Sequence, residues 1–318
     1  MTEVLEPGHF TDDTQMTLFT CAGLLDAAMR LEATGTCLPR LQVYDAYLAW
    51  LATQGDEWAS VRRPDGPMTP SPLLSATASL PRREAPGLTC LAALRSGAVG
   101  RIDHPINESK GCGGVMRAAP AGLLVPGFDV GTSPSEAYHL GCEVAAITHG
   151  HRLGIHPAGV LAALIHQLVV GVPLEDALDA ALALAPDELV ETIDGARSIG
   201  AAGMPSPATI DHSLGGGWVG DEALAIAVAC SVAAPDLLSG LLSSVNHSGD
   251  TDSTGAITGN ILGAVFGLPG IPDGWLESVD SMEIVATVAA DVVRWVLDRP
   301  SAAAPDPTFA ELFARYVA

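Results

Sequence analysis

Basic residues are scarce in this sequence. Its 318 residues include 15 lysines and arginines against 37 aspartates and glutamates, a formal net charge of −22. A surface with this charge repels phosphate backbones, so the composition argues against a nucleic-acid partner. The same surface attracts divalent cations without specificity. Aromatic residues are also few, at 5%. Alanine, leucine and glycine dominate instead, and these residues suit closely packed helices.

Signals for secretion and for a membrane are missing as well. The six cysteines are scattered without a C-x-x-C pair, and the start, M-T-E-V-L-E-P-G, has neither a basic n-region nor an apolar core. Reduced cysteines and a cytoplasmic location are therefore the default expectation. An uncharged run at 253–272 is long enough to span a bilayer. Its glycines, Asn260, Pro269 and the aspartates beside it favour a buried helix of a soluble protein instead.

Alternating strand patterns do not occur either. Helical periodicity is present from about residue 12 to residue 28, at 42–53, 87–97, 134–148, 157–171, 174–185, 187–199, 221–232, 236–245, 254–267 and 281–297, and in a final helix to about residue 316. This pattern predicts an all-α fold, and no break is strong enough to divide the chain into two domains. The segment 54–87 contains six prolines and is predicted to be a long, partly irregular excursion over the surface.

The most informative stretch runs from Asn246 to Gly267, N-H-S-G-D-T-D-S-T-G-A-I-T-G-N-I-L-G-A-V-F-G. Oxygen-bearing side chains cluster where its predicted helix starts, at Asp250, Asp252, Ser253 and Thr254. An N-cap uses only one oxygen, so capping alone does not explain this cluster. A calcium-binding EF-hand loop needs a glutamate at its twelfth position, where this sequence has Ile261, so that alternative fails. The stretch therefore predicts a helix that holds two carboxylates at its N-terminus.

Glycine recurs along this predicted helix at positions 255, 259, 263 and 267. Each glycine inside a helix costs roughly 1 kcal/mol relative to alanine, so this repetition needs a structural reason. The spacing by four produces one stripe without side chains. We expect another backbone to pack closely against that stripe.

A second predicted helix also begins with more oxygens than capping requires. Residues 11–15 read T-D-D-T-Q, in which Asp12 and Gln15 have the spacing of a capping box. Together the two clusters offer an all-oxygen ligand set, consisting of Thr11, Asp12, Asp13, Asp250, Asp252 and Ser253. Hard oxygen ligands suit Mg²⁺, Mn²⁺ or Ca²⁺. Converging carboxylates repel one another, and two divalent ions would balance their charge, which supports a binuclear site.

Two further motifs are less specific. Residues 107–117, N-E-S-K-G-C-G-G-V-M-R, favour a loop whose backbone approaches a ligand, although a simple turn has the same composition. Histidines at 149, 151 and 156 make zinc one alternative, but no cysteine or spaced partner supports it. A helix end or a contact with substrate is the other alternative for these histidines.

Five motifs in this order resemble those of the ADP-ribosylglycohydrolase family. They are T-D-D-T-Q-M at 11–16, K-G-C-G-G-V-M-R at 110–117, T-H-G-H at 148–151, G-W-V-G-D-E-A-L at 217–224 and N-H-S-G-D-T-D-S-T-G-A-I-T-G at 246–259. The resemblance covers nearly the whole chain. It implies a compact all-α fold of a dozen or more helices around a central cleft with two Mg²⁺ or Mn²⁺ ions.

The resemblance also implies roles for individual residues. The all-oxygen set matches the family's metal ligands, and an aspartate such as Asp13 or Asp12 would accept a proton from the attacking water. Contacts with ADP-ribose fall on Gly111, Cys112, Gly113, Gly114, Val115 and Met116 and on His149. The implied reaction hydrolyses the N- or O-glycosidic bond at the distal ribose of an ADP-ribosylated protein or small molecule.

This sequence departs from the family pattern at its start. The family normally has a further segment ahead of the T-D-D motif, with a G-D-A-x-G-type helix and a glutamate beside the metals, whereas ten residues precede Thr11 here. Glu3 and Glu6 lack that context and do not take over the role. Either the chain is shortened, another group replaces the glutamate, or catalysis is weakened. Two functions follow: a metal-dependent ADP-ribosylglycohydrolase, or a catalytically weakened module that binds ADP-ribose.

Overall fold

A computed structural model of the protein describes residues 8–9, 11–56, 83–124, 133–279, 281–298, 300–302 and 306–317. This part of the chain contains 15 α-helices and no strand, so the predicted all-α fold is confirmed. Among the described helices, none has both the length and the hydropathy needed to cross a bilayer. Most of the predicted surface excursion, residues 57–82, lies outside the described residues, as do Glu3 and Glu6.

Most of the longer helices overlap the ranges predicted from periodicity. They are α1 (Asp12–Thr34), α2 (Pro39–Thr53), α3 (Leu88–Arg95), α4 (Ala119–Leu124), α5 (Pro134–Ala146), α6 (Arg152–Val169), α7 (Leu174–Leu182), α8 (Asp187–Ala201), α9 (Gly220–Ala233), α10 (Leu237–Ser244), α11 (Thr251–Phe266), α12 (Met282–Val293) and α13 (Pro307–Tyr316). Short helical turns connect some of them, and the 3₁₀ turn Cys112–Gly114 matters most for the site. Helix α4 has no counterpart among the predicted helices.

Helix α6 begins at Arg152, earlier than the predicted start at 157. His151 provides the N-cap, since its Nδ1 accepts a hydrogen bond of 3.1 Å from the N–H of Leu153. Pro157 lies inside the helix, where its missing N–H leaves the carbonyl of Leu153 without its usual partner. That carbonyl lies close to Gly220, where an added Cβ would be 2.6 Å from its oxygen.

Two large clusters of buried side chains form the core. One joins α1, α2 and α3 with α12 and α13. The other joins α6, α7, α8 and α9 and includes Ile257 and Ile261 of α11. Helix α1 is buried along most of its length and contacts α11 directly. The N-termini of α1 and α11, one from each cluster, therefore meet where the two clusters adjoin.

The glycine stripe of α11 does not pack against another backbone, so that prediction was wrong. An added Cβ at Gly255 or Gly259 would approach only the side chains of Val245 (2.8 Å) and Leu241 (3.5 Å), which belong to α10 and the residue after it. At Gly263 it would meet no heavy atom of the described residues within 4 Å. The stripe makes room for bulky side chains of a neighbouring helix rather than for its backbone.

The close backbone contact lies instead between α1 and α2. A Cβ added at Gly23 would be 2.7 Å from the Cα of Val43 and 3.0 Å from the carbonyl oxygen of Gln42. Real Cβ atoms do not approach a backbone this closely, so only glycine allows the two helices their present distance. This contact brings α2 against the helix that carries the T-D-D motif.

These two kinds of glycine predict opposite effects of the same substitution. Gly263→Ala should raise the free energy of unfolding by roughly 0.5–1 kcal/mol, because alanine is the better helix former and its Cβ is accommodated. Gly23→Ala should lower it by roughly 1–3 kcal/mol, because α1 and α2 would have to separate. Urea unfolding of both variants measures the two values. A destabilised Gly263→Ala or a neutral Gly23→Ala would contradict the packing described.

Candidate functional site

A cleft of about 920 Å³ opens where the N-termini of α1 and α11 meet. Asp12 and Asp13 from α1 and Asp250, Asp252 and Ser253 at the start of α11 line it. One oxygen from each of Asp12, Asp13 and Asp252 lies within 4.8 Å of the others. The two oxygen-rich motifs, which lie at opposite ends of the sequence, therefore form one acidic site in the folded chain.

The capping box considered for α1 is not formed. Thr11 is the N-cap residue, but its side chain makes no capping hydrogen bond. Gln15 does not return to the helix start, because its Oε1 accepts hydrogen bonds from Trp50 Nε1 at 3.0 Å and Gln54 Nε2 at 3.1 Å. Asp12 is thus not explained by capping, and its carboxylate lines the cleft.

The start of α11 is held by contacts from two other loops. The N–H of Asp250 donates to the carbonyl of Gly216 at 2.7 Å, and its Oδ2 accepts from the thiol of Cys112 at 2.9 Å. Its side chain therefore makes no capping bond to α11. Ser253 Oγ lies 3.5 Å from the same sulfur. Cys112 of the glycine loop therefore contacts both Asp250 and Ser253, beside the group of three converging carboxylates.

Thr11 lies behind this group. It is 6% exposed, and its Oγ1 is 3.4 Å from Asp13 Oδ2. Among the carboxylates predicted as metal ligands, those of Asp12, Asp13 and Asp252 form the group whose oxygens lie within 4.8 Å of one another. Ligand roles for all of the predicted residues remain predictions.

Burial of these carboxylates changes their electrostatics. Burial raises the pKa of Asp12 to about 6, although the N–H of Gly87, which donates to its Oδ2 at 3.0 Å, opposes the shift. Burial also raises the pKa of Asp13 well above its ordinary value, and the charge of Asp252 adds to the effect. The pKa of Asp250 rises to about 7, first through burial and then through Asp252. Ionisation of all these carboxylates at once is therefore costly unless a positive charge offsets it.

The donor chemistry of the site suits a hard divalent cation. Oδ1 of Asp13 is buried and accepts no hydrogen bond from any described residue. Such an oxygen is costly to bury without a partner. An unpartnered carboxylate oxygen beside two further carboxylates matches the all-oxygen coordination that Mg²⁺ and Mn²⁺ prefer.

The glycine loop at 107–117 is joined to the loop before α9 by backbone hydrogen bonds. The N–H of Cys112 donates to the carbonyl of Trp218 at 3.2 Å, and the N–H of Gly220 donates to the carbonyl of Lys110 at 2.8 Å. This short antiparallel bridge forms one wall of the cleft. Trp218 is 63% exposed at the rim of the cleft. The sequence-based prediction of the site did not include it, although an aromatic residue in a glycine-rich loop offered a signal.

The residues predicted to contact ADP-ribose divide into two groups. The cleft is lined by Gly111, Cys112, Gly113, Met116 and His149. Gly114 and Val115 lie behind it: a Cβ at Gly114 would be 2.4 Å from the carbonyl oxygen of Gly154, and Val115 is fully buried in the second core cluster. The structure therefore gives these two positions a packing role, and their contact with a ligand remains a prediction.

Of the two histidines in the T-H-G-H motif, His149 borders the cleft. Its ring is buried, and burial lowers its pKa to about 3, with the charge of Arg117 adding to the effect. The other two histidines have separate partners, because His151 caps α6 and His156 Nδ1 lies 2.8 Å from the hydroxyl of Tyr138. The helix-end interpretation is thus confirmed for His151. Within the described residues, these histidines do not converge on a zinc site.

The segment just before α3 forms another part of the wall. The N–H of Asp12 donates to the carbonyl of Glu84 at 3.0 Å, in addition to the bond between Gly87 and the Asp12 carboxylate. Ala85 between them has a φ of 50°, which is unusual for a residue other than glycine. The sequence predicted only a surface excursion here, so the contact with the T-D-D motif was missed.

Comparison with known proteins adds to this geometry. A family model described as ADP-ribosylglycohydrolase matches residues 1–303 of the chain. The chain belongs to the ADP-ribosylglycohydrolase family. The ADP-ribosyl-[dinitrogen reductase] glycohydrolase of Rhodospirillum rubrum is 26% identical over 281 residues, which are 87% of this chain and 75% of that protein. A solved ADP-ribosylglycohydrolase-related protein complex shares the fold, with a TM-score of 0.60 and 23% identity over 92% of this chain and 84% of the solved chain.

The buried acidic site predicts a specific pH dependence for this ADP-ribosylglycohydrolase family member. The folded-state pKa of Asp12, about 6, lies above its unfolded value of 3.8, so the folded protein binds more protons in this window. Stability contributed by this group is present at low pH and is lost as the pH rises from about 4 to about 6. In chelator, Asp12→Asn should therefore gain melting temperature relative to the unchanged protein across this window.

Other carboxylates, such as Asp236 and Asp306, have a lowered pKa and also make stability depend on pH. Their contribution is the same in both proteins, so it cancels in the difference between the two melting temperatures. The exposed Asp194→Asn serves as the matched control and should show no such trend. A difference between Asp12→Asn and the unchanged protein that does not vary with pH would contradict the effect of burial.

Proposed function

We propose that this protein is a metal-dependent hydrolase that cleaves the glycosidic bond between ADP-ribose and an acceptor and releases ADP-ribose. The observation that carries the proposal is the convergence of Asp12, Asp13 and Asp252 in a cleft of a protein of this family. The relative from Rhodospirillum rubrum is named for the removal of ADP-ribose from dinitrogen reductase, which supports the same class of reaction. The acceptor proposed here is a protein side chain or a small molecule.

Asp12, Asp13 and Asp252 would hold two Mg²⁺ or Mn²⁺ ions, with Asp250, Ser253 and Thr11 as further oxygen donors. When bound, such ions offset the negative charge of the carboxylates and lower the pKa of water, which makes water a better nucleophile at neutral pH. The unpartnered Oδ1 of Asp13 supports this assignment.

The protein's own carboxylates have a further part in the reaction. Gly87 holds one oxygen of Asp12, which leaves the other oxygen of that side chain for the cleft. Asp12 and Asp13 are the candidate acceptors for the proton of the attacking water. Departure of the acceptor develops positive charge on the ribose ring, and negative side chains around that ring stabilise this charge.

The walls of the cleft fit the rest of ADP-ribose. A volume of about 920 Å³ accommodates a ligand of nucleotide size. The glycines of the loop at 111–113 allow the phosphate groups to approach the backbone. The exposed ring of Trp218 at the rim offers a stacking surface for an aromatic base. The glycine loop and Trp218 therefore support the proposal that the phosphates and the base bind along these walls.

One observation favours a second candidate, a module that binds ADP-ribose without efficient turnover. No glutamate among the described residues lines the cleft. The family resemblance implies a glutamate beside the metals, whereas the carboxylates among the described residues of the cleft are all those of aspartates. Binding and turnover must therefore be measured separately.

Removal of one carboxylate should show whether the site binds metal. Mg²⁺ or Mn²⁺ should raise the melting temperature of the unchanged protein, because the ion binds the folded site and relieves carboxylate repulsion. Asp13→Asn should weaken binding of the ions about tenfold or more and remove most of this increase, whereas Asp194→Asn should leave both intact. Titration calorimetry and thermal unfolding provide the measurements. Equal stabilisation of Asp13→Asn and the unchanged protein would place the ions elsewhere.

The function itself is tested with arginine-linked and serine-linked ADP-ribose, with and without chelator, by measuring free ADP-ribose. We expect release that depends on Mg²⁺ or Mn²⁺ and that falls by about a hundredfold or more in Asp12→Asn. Trp218→Ala should weaken binding of ADP-ribose about tenfold, as expected for one lost stacking contact. Binding without release would select the non-hydrolytic module. Absence of both from folded, metal-loaded protein would refute the proposal.

A further inference from the structure

Arg117 carries a positive charge into the core directly behind the cleft. Its side chain is fully buried, and its guanidinium lies 4.4 Å from the centre of the Tyr47 ring. Its hydrogen bonds among the described residues go to Met16 Sδ at 3.3 Å, Cys90 Sγ at 3.2 Å and Thr148 Oγ1 at 2.6 Å, and none of these partners is a carboxylate. A buried charge without a direct ionic partner is costly, so this arrangement needs a reason.

The hydrogen bond between Arg117 and Thr148 has only one possible direction. Arginine can only donate, so Thr148 Oγ1 accepts from Nη2. The hydroxyl proton of Thr148 then has two candidate acceptors: Nδ1 of His149 at 2.8 Å and the sulfur of Cys90. An imidazole nitrogen is a much better acceptor than a thiol sulfur. The proton therefore goes to Nδ1 of His149, and the imidazole carries its own proton on Nε2.

The backbone on both sides of His149 is held by one side chain. Asn107 Nδ2 donates to the carbonyl of Thr148 at 2.8 Å, and its Oδ1 accepts from the N–H of Gly150 at 3.0 Å. The Nε2 edge of the ring lies beside the glycine loop, since a Cβ added at Gly111 would be 3.4 Å from Nε2. The ring thus presents this edge to the cleft in a defined orientation.

We propose that Arg117 and Thr148 are positioning residues that hold His149 as its Nε2–H tautomer, so that this histidine donates a hydrogen bond to an oxygen of the ligand in the cleft. The choice of ADP-ribose as that ligand rests on the proposed function, whereas the tautomer follows from the buried hydrogen bonds alone. An imidazole whose Nδ1 is already occupied has no free basic nitrogen facing the cleft. Proton acceptance is thereby left to the aspartates.

The tautomer is measured directly by nitrogen NMR of the protein labelled at its nine histidines. The His149→Gln spectrum identifies the resonances of His149 by their loss. We expect the Nδ1 resonance at the position of an unprotonated, hydrogen-bonded nitrogen and the Nε2 resonance at that of a protonated one. The pattern should not change across the neutral pH range. A protonated Nδ1 in the unchanged protein would overturn the proposal without the need for any variant.

Two substitutions at Thr148 separate positioning from folding. Thr148→Val removes the hydroxyl and should allow the second tautomer to appear, with an increase of about tenfold in the Kd for ADP-ribose. Thr148→Ser keeps the hydroxyl and should restore both the single tautomer and the Kd. If Thr148→Val retains the Nε2–H tautomer and an unchanged Kd, Thr148 has no positioning role and the proposal fails. If Thr148→Val does not fold, the spectrum of the unchanged protein and the Kd of Thr148→Ser still decide the matter.

The two proposals fail in different ways. Protein with the Nε2–H tautomer that does not bind ADP-ribose would overturn the proposed function and support the assignment of the tautomer. Protein that binds and hydrolyses ADP-ribose with His149 protonated on Nδ1 would support the function and overturn this inference.

Discussion

The burial of like charges at one place is the constraint around which this site is built. Asp12, Asp13 and Asp252 come from helices that belong to different core clusters, and each loses solvent as those clusters pack together. Burial raises the pKa of Asp12 and Asp13 because water no longer stabilises their ionised forms. A fold that served only stability would gain by replacing such carboxylates. The positively charged partner proposed above would offset this cost and would connect the fold to the proposed chemistry.

Backbone hydrogen bonds hold together the loops that surround the site. Hydrogen bonds join the glycine loop to the loop before α9, and a further one joins that loop to the start of α11. At Gly249, an added Cβ would lie 1.9 Å from the carbonyl oxygen of Gly216, so the chain can pass there only as glycine. These contacts hold three distant motifs in register. They also explain why so many of the motif positions are glycine, since side chains would prevent the loops from approaching one another.

Positive charge near the site comes from the interior. Arg117 lies under the cleft, where its charge opposes the rise in the pKa of Asp12 and contributes to the lowered pKa of His149. It makes no direct hydrogen bond to the carboxylates among the described residues. Arg117 therefore does not occupy the oxygens of these carboxylates, and its charge favours the neutral form of the neighbouring imidazole. The buried charge of Arg117 thus favours the ionised form of Asp12 and the neutral form of His149.

The sequence by itself determined the helical class and the surplus of oxygens at two helix starts, because periodicity and capping are local properties of a chain. Its motifs also indicated the family correctly. Tertiary structure alone decided which atoms meet: that the stripe of α11 faces side chains, that Gly23 is the site of close backbone contact, and that Gly114 and Val115 pack behind the cleft. The segment at 85–87 and the ring of Trp218 likewise come to line the cleft only in the folded chain. Such pairings depend on contacts between residues far apart in the chain, and no local pattern specifies the partner of a glycine, a carboxylate or a buried arginine.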